Sequence, residues 1–191
     1  MQKRVVLKGY IAIAVLSIMI ALGLNNVLLV IDLAKYSEAY QEAVQILYAP
    51  GLLKLILYTG IFIPIVEELL FRGLAFRLLR KWMPFVWAMI LSALVFGIYH
   101  GNLVQFVYAT ICGLYLAYLC ETFGSVLASI LAHMVMNITA CVMTEFGWFV
   151  WIFEQGARVL AVTLLCIGMA GALFVYLQKL DVTKLLKKDC K

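Results

Sequence analysis

The sequence predicts an all-α membrane protein with about six transmembrane helices and both termini in the cytoplasm. Hydrophobic residues make up 66% of its 191 residues and charged residues only 13%, a composition typical of polytopic membrane proteins and not of soluble domains. A helix needs roughly 20 apolar residues to cross the hydrocarbon core of a bilayer. Apolar segments recur near residues 9–31, 51–71, 85–100, 102–120, 125–144 and 157–177. They predict a single polytopic domain over residues 1–191.

The first apolar segment is predicted to be a membrane helix and not a cleaved signal peptide, and the linker after it shows helical periodicity. The first apolar segment follows a basic stretch, as in a secretory signal peptide, but its run is too long and no small-residue cleavage site follows it. Residues 32–50 place apolar side chains at helical intervals, which indicates an amphipathic helix in the outer interface or, equally, an ordered loop. Those apolar positions are Leu33, Tyr36, Tyr40, Val44 and Leu47.

Two turns separate the middle segments. Residues 82–84 (Trp-Met-Pro) end the second segment, and residues 100–102 (His-Gly-Asn) interrupt an apolar stretch that otherwise runs from the third segment into the fourth. Within the second segment, Pro64 cannot bond to the carbonyl four residues before it, which predicts a kink. Gly97 and Gly101 form a small-xxx-small pair that would let another helix approach closely.

The distribution of lysine and arginine predicts the orientation. One set of loops, together with both termini, holds most of the basic residues, so the positive-inside rule places both termini in the cytoplasm. The net charge of +5 therefore reflects topology and attraction to anionic lipid, and it does not indicate a nucleic-acid partner. Residues 179–191 are predicted to form a short basic helix. The cytoplasmic basic residues are Lys3, Arg4, Lys8, Arg77, Arg80, Lys81, Lys179, Lys184, Lys187, Lys188 and Lys191.

Three apolar segments carry polar side chains at membrane depth. An ionisable side chain there costs about 2.5 to 3.5 kcal/mol on insertion scales. A single histidine or asparagine in a membrane helix is often only a link between helices, but joint occurrence on three helices indicates one functional site. The residues are Glu67, Glu68 and Arg72 in the second segment, Phe96 and His100 in the third, and His133 and Asn137 in the fifth.

Helical spacing predicts how these side chains are arranged. Residues four apart share a helix face, so Glu68 and Arg72 are expected to form an ion pair, while Glu67 faces elsewhere and is free to react. Counted from the turn between the second and third segments, Glu67 and His100 lie about 22 to 24 Å along their helices. A hairpin that projects beyond the inner interface would bring both level with His133. We therefore predict a site in the cytoplasmic half of the bilayer.

Taken together, the three motifs resemble those of the CPBP family. They read Glu-Glu-x-x-x-Arg at 67–72, Phe-x-x-x-His at 96–100 and His-x-x-x-Asn at 133–137. This order is similar to that of the type II CAAX prenyl endopeptidases of the Rce1-like group, which has bacterial relatives tied to bacteriocin processing and self-immunity. The resemblance covers about residues 60–140 and leaves the first and last spans unmatched.

The resemblance implies an intramembrane endopeptidase that cuts a membrane-associated peptide or protein. The small six-span core predicts a bacterial cell membrane as its location. The resemblance implies that Glu67, assisted by His100, activates a water molecule. It also implies that His133 and Asn137 stabilise the oxyanion of the tetrahedral intermediate, and donors of this kind suit that role. The supporting residues are Glu68, Arg72 and Phe96.

A zinc-dependent peptidase is the chemical alternative. Glu67, His100 and His133 could supply a zinc site with one open position. However, the HExxH motif is absent, and no carboxylate is evident in the sequence to orient each histidine, as the partners of metal-bound histidines usually do. Catalysis by glutamate without a metal or other cofactor is therefore favoured.

Two other classes of function are compatible with the sequence. The chain could confer bacteriocin self-immunity or bind a membrane partner as a scaffold, although an intact polar set argues for catalysis. A proton-coupled transporter would also carry Glu, His and Arg within its helices, but the spans are few and no inverted repeat of broken helices is recognisable. The expected partners are a peptide or membrane-protein substrate and the lipid bilayer.

Overall fold

The computed structural model describes residues 2–49 and 51–180, with side chains from Leu7 onward, and every regular element in these ranges is a helix. This confirms the predicted all-α membrane class. The predicted C-terminal basic helix falls almost wholly outside the described residues. The helices are α1 (Gln2–Val30), α2 (Glu38–Tyr48), α3 (Leu52–Trp82), α4 (Phe85–Tyr99), α5 (Leu103–Phe123), α6 (Val126–Glu145), α7 (Trp148–Phe153) and α8 (Gly156–Lys179), with a 3₁₀ turn at Leu33–Tyr36.

Four helices, α1, α5, α6 and α8, are each long and apolar enough to cross a membrane, and the bent pair of α2 and α3 makes a fifth candidate. The third predicted span, 85–100, corresponds to α4, which has only 15 residues, fewer than the roughly 20 that a crossing requires. The structure therefore supports four to five spans. The count of six and the orientation of the termini stay predictions.

The two predicted turns of the central helices are present. Between α3 and α4, Met83 is extended and Pro84 precedes the first turn of α4, where proline suits a helix start. Between α4 and α5, Gly101 has a φ of +74°, a left-handed conformation that glycine adopts without steric cost. Asn102 then caps α5, because its side chain accepts a hydrogen bond from the Gln105 backbone N–H.

The helix ends define two ends of the bundle. At the end that holds the α3–α4 turn, here called the hairpin end, the Arg80 guanidinium donates to both carboxylate oxygens of Glu121, at 2.8 to 3.2 Å. This contact joins the last turns of α3 and α5. The other end, here called the α2 end, holds α2 and the α4–α5 turn. The largest hydrophobic core cluster among the described residues lies toward the hairpin end, where α1, α5, α6 and α8 bury residues that include Ile13, Phe123, Ala128 and Leu177.

The stretch predicted to be an amphipathic helix forms α2. Its first turn is capped by Ser37, whose side chain accepts a hydrogen bond from the Tyr40 backbone N–H. None of the α2 residues is buried, although one face of the helix lines the cavity described below. The alternative of an ordered loop is therefore wrong for residues 38–48, and the placement of α2 in a membrane interface stays a prediction.

Helices α4 and α5 pack closely at Gly97. A Cβ added at Gly97 would overlap the Thr110 hydroxyl and would lie 2.8 Å from the Phe106 carbonyl oxygen. The prediction of close helix approach is confirmed for this glycine. It is wrong for Gly101, which lies in the α4–α5 turn with no atom within 4 Å of an added Cβ, because its role there is a positive φ.

Replacement of Gly97 by alanine is expected to lower the melting temperature of the purified protein. Overpacking of a tight contact costs about 1 to 3 kcal/mol, which corresponds to roughly 2 to 12 °C for a domain of this size. Gly168→Ala on α8 is the matched control, since an added Cβ there meets nothing within 4 Å. Equal melting temperatures for the two variants would contradict the packing argument.

Candidate active site

Helix α3 is irregular on both sides of its two glutamates. It is π-helical at Ile56–Phe62, returns to α-helical geometry at Ile63–Glu68, and is π-helical again at Leu69–Phe76. The first π-helical stretch ends two residues before Pro64, and the kink predicted at Pro64 stays a prediction. Such π-helical stretches are rare in proteins overall, and those that occur are frequently found at functional sites. Glu67 and Glu68 thus lie in a short regular segment between two widened ones.

Glu68 and Arg72 form the predicted ion pair. Arg72 Nη1 lies 2.7 Å from Glu68 Oε1, and both side chains have no exposed surface. The second terminal nitrogen of Arg72 donates to the Gly113 carbonyl oxygen at 3.2 Å, and the guanidinium lies 4.4 Å from the centroid of the Phe96 ring. Buried charges need partners of this kind. The contacts of Arg72 with Phe96 and Gly113 also link α3 to α4 and α5.

His133 of α6 bridges the two glutamates. Its Nδ1 lies 3.0 Å from Glu68 Oε1, and its Nε2 lies 3.7 Å from Glu67 Oε2. Because Glu68 already holds Arg72, we assign Nδ1 as the donor to this carboxylate. The expectation that no carboxylate orients the histidines is therefore wrong for His133. Spacing along α3 does not reveal this contact, since it depends on how α6 packs against α3.

His100 lies at the end of α4, and its ring orientation is set by its own helix. Its Nδ1 lies 2.9 Å from the Phe96 carbonyl oxygen. A carbonyl can only accept, so Nδ1 is assigned the proton, and in the neutral ring Nε2 is an acceptor. The Phe96 ring packs edge-to-face against the imidazoles of both His100 and His133, with centroid distances of 4.9 and 5.7 Å. Phe96 thus contacts both histidines and Arg72.

Asn137 lies one turn after His133 on α6. Its amide nitrogen donates to the backbone carbonyl oxygen of Thr59 in the first π-helical stretch of α3, at 2.9 Å. One of its two N–H groups is therefore used within the protein. The sequence indicated that Asn137 and His133 share a face of α6 but did not indicate the Thr59 partner.

A cavity of about 310 Å³ brings the predicted residues together. Glu67, His100, His133 and Asn137 all line it, as does Phe96. Glu68 and Arg72 lie behind this wall and have no exposed surface. The four residues proposed for chemistry thus face one space from three helices, as the spacing predicted.

The cavity lies away from the hairpin end. Glu67 is fifteen residues from either end of α3, and His100 follows the last residue of α4, so the four residues span from the middle of the bundle toward the α2 end. The α2 face that includes Tyr40, Val44 and Leu47 lines the cavity. If the termini are cytoplasmic, the α2 end is the outer end. The orientation is a prediction, so the predicted location in the cytoplasmic half also stays a prediction.

The sequence indicates no functional role for some of the lining residues. The helical spacing of the apolar α2 positions predicts one helix face, and this face forms part of the cavity wall. Asn25 of α1 and the α5 side chains of Gln105 and Tyr108 also line the cavity. Gly113 was not singled out. An added Cβ there would lie 3.1 Å from Arg72 Nη2, so the absence of a side chain makes room for the guanidinium.

The donor set gives a test for the zinc alternative. Among the residues that the structure describes, no three His, Cys, Asp or Glu side chains are grouped so as to hold a metal ion. Glu67 Oε2 and His133 Nε2 lie 3.7 Å apart, and the Nδ1 of each histidine is engaged by an oxygen atom of the protein, which leaves Nε2 as the nitrogen that could bind a metal. As placed, Glu67, His100 and His133 are not such a group, and the choice between a metal-free and a zinc-dependent peptidase stays a prediction.

Comparison with known proteins points to one family. Residues 49–139 match the family model described as type II CAAX prenyl endopeptidase Rce1-like. The chain is 30% identical over 114 residues to "Putative membrane peptidase YdiL" of Bacillus subtilis (strain 168), an alignment that covers 60% of this chain. The chain spans 46% of the length of that relative. No solved structure matches the chain significantly.

Proposed function

Because the chain belongs to the Rce1-like family of CPBP membrane proteases, we propose that it is an intramembrane endopeptidase that hydrolyses a peptide bond of a membrane-associated peptide or protein. The observation that supports this most strongly is the pairing of Glu67 with His133, at 3.7 Å, on the wall of a cavity that also holds His100 and Asn137. A carboxylate, two imidazoles and a carboxamide around one space are suited to acid–base chemistry on a bound peptide.

In the proposed reaction, Glu67 is the general base. Its carboxylate accepts a proton from a water molecule as the water oxygen forms a bond to the carbonyl carbon of the substrate. The acceptor nitrogen Nε2 of His100 orients that water through a hydrogen bond. Glu67 then returns the proton to the amide nitrogen as the carbon–nitrogen bond breaks, so that the products are a carboxylic acid and an amine. A positioned base contributes typically about 10²- to 10⁴-fold to such a step.

His133 and Asn137 are proposed to stabilise the oxyanion of the tetrahedral intermediate. Asn137 has a second N–H available for this role, and His133 in its imidazolium form can donate from Nε2 while Nδ1 donates to Glu68. One donor in a preorganised site contributes about 2.7 to 4 kcal/mol. The ion pair of Glu68 with Arg72 fixes His133 and does not itself touch the substrate.

We propose that catalysis proceeds without a metal. The support is the placement of the donors, because Glu67, His100 and His133 are not grouped closely enough within the described residues to hold one ion. Incubation of the purified protein with a zinc chelator, followed by its removal, is expected to leave the initial rate within about twofold. Loss of the rate with the chelator and its return with added zinc would contradict this proposal.

The apolar lining of the cavity supports a membrane-presented peptide as the substrate. The cavity walls toward the α2 end are largely apolar and include Leu28, Val44, Leu47, Val104 and Ala140, so they suit an apolar peptide segment. With both termini cytoplasmic, the substrate would enter from the outer side. A bacterial cell membrane is the proposed location, and secreted peptide precursors or membrane-protein fragments are the proposed substrates.

The function is tested by hydrolysis in isotopically labelled water. The full chain is reconstituted in lipid vesicles with membrane-inserted peptides in water enriched in ¹⁸O, and the products are analysed by mass spectrometry. A peptidase places one ¹⁸O atom in each new carboxyl group. Products that form equally in vesicles with Glu67→Ala protein would show that Glu67 is not the base. If no peptide gives products, while cells that produce the Glu67→Ala protein keep bacteriocin protection, the immunity or partner-binding role is favoured instead.

A further inference from the structure

We infer that Pro64 is a positioning residue for Asn137, since its missing N–H leaves the Thr59 carbonyl free to hold the Asn137 amide. The inference rests on the proposed function for its catalytic meaning, but the contact itself stands on backbone geometry. It assigns a role to Pro64, the single proline of α3, which takes no direct part in the proposed reaction.

The backbone bonds of α3 show why the Thr59 carbonyl is free. In an α-helix it would accept from the N–H of Ile63, but that N–H donates instead to the Tyr58 carbonyl, five residues before it. In the π-helical pattern the Thr59 carbonyl would accept from residue 64. Residue 64 is proline, which has no N–H. The carbonyl thus loses both helical partners, and a part-buried carbonyl in a membrane helix is costly without another partner.

Asn137 supplies the missing partner from another helix. Its amide nitrogen lies 2.9 Å from the Thr59 oxygen. A side chain of α6 thus donates the hydrogen bond that the Thr59 carbonyl cannot receive from residue 64 of α3. The adjacent residue makes this approach possible. An added Cβ at Gly60 would lie 2.8 Å from Cγ1 of Ile138, the residue next to Asn137, so only glycine lets α6 come this close to α3.

The contact sets the direction of the Asn137 amide. An asparagine amide has two N–H donors, and with one bound to Thr59 the rotation of the group is fixed. Within the described residues, the second N–H makes no hydrogen bond to the protein, and Asn137 lines the cavity. Pro64 therefore holds in place the donor that the proposed reaction needs, without touching the substrate.

Nuclear magnetic resonance of the side-chain amides tests this arrangement directly. The chain has four asparagines, at positions 25, 26, 102 and 137, so protein labelled with ¹⁵N-asparagine gives four side-chain amide signals, and Asn137→Gln identifies its own. In the wild-type protein, one Asn137 proton is expected to exchange with water about fivefold more slowly than the other, the factor for a hydrogen bond of about 1 kcal/mol. Equal exchange of both protons would overturn the inference without any variant.

Pro64→Ala provides the second measurement. The substitution restores a backbone N–H at this position that can bond to the Thr59 carbonyl, so the protection of the Asn137 proton is expected to be lost. Pro84→Ala in the α3–α4 turn is the matched control and should retain it. Unchanged protection in Pro64→Ala protein would overturn the inference.

Kinetics then separate this inference from the proposed function. Pro64→Ala is expected to lower kcat about tenfold with little change in KM, and to cause no further loss in the Asn137→Ala background. Independent, multiplicative losses would show that Pro64 acts by another route. Altered amide exchange in Pro64→Ala protein, with no peptidase activity in the wild type, would confirm the contact and refute the proposed function.

Discussion

Replacement of Glu67 by glutamine is expected to lower the peptidase kcat by about 10²- to 10⁴-fold, the usual contribution of a general base. Glutamine keeps the size of the side chain and can still approach His133, but it cannot accept the proton of the attacking water. Initial rates at saturating substrate measure the effect. Circular dichroism and the melting temperature of the variant establish that it is folded.

Glu145→Gln is the matched control for this experiment. Glu145 is the last residue of α6 and is exposed, outside the cavity lining, so its loss removes one carboxylate without touching the site. Its kcat is expected to equal that of the wild type. A kcat of Glu67→Gln within about threefold of the wild type would show that another group acts as the base.

Replacement of Arg72 by methionine is expected to destabilise the protein strongly. Glu68 would then keep a buried carboxylate without its guanidinium partner, and breaking a buried ion pair in this way costs about 3 to 5 kcal/mol. For a domain of this size that corresponds to a fall in melting temperature of roughly 6 to 20 °C. Arg80→Met is the matched control, because the Arg80–Glu121 pair lies at the partly exposed hairpin end and its loss should change the melting temperature little.

A double variant separates stability from function at this ion pair. When both charges of a buried pair are replaced by apolar residues of similar size, stability is often retained. Glu68→Leu with Arg72→Met is therefore expected to recover much of the lost melting temperature but not the activity, because His133 has lost the partner of its Nδ1. Full activity of the double variant would show that the Glu68 contact does not position His133.

Contacts within one helix were predictable from the sequence. The spacing of four residues predicts the Glu68–Arg72 ion pair, and the pairing of Phe96 with His100 follows from the same rule. The turns at residues 82–84 and 100–102 are equally local, because proline and glycine restrict or free the backbone there. The grouping of Glu67, His100, His133 and Asn137 around one cavity was also predicted, from the cost of leaving such side chains in lipid.

Contacts between helices were not predictable in the same way. The Glu68–His133 and Thr59–Asn137 hydrogen bonds depend on how closely α6 approaches α3, which is set by packing at Gly60. The depth of the site in the membrane depends on the orientation of the termini, which stays a prediction. Within the bundle, the site extends from the middle toward the α2 end, because α4 ends next to His100 on the side opposite the hairpin. Helix α2 forms part of the cavity wall because the chain bends sharply between α2 and α3. The angle of that bend is not specified by helical periodicity.

The two π-helical stretches of α3 have a consequence for the rotational phase of this helix. An α-helix advances by about 100° per residue, so deleting one residue from a regular helix turns everything beyond it by more than a quarter of a circle. A π-helical stretch carries surplus residues relative to α-helical winding, and it can lose one by tightening its turns. Deletion of one residue within 56–62 would thus leave the Glu67 side chain facing the cavity. Deletion of one residue within 63–66 would turn this side chain toward the hydrocarbon chains of the bilayer.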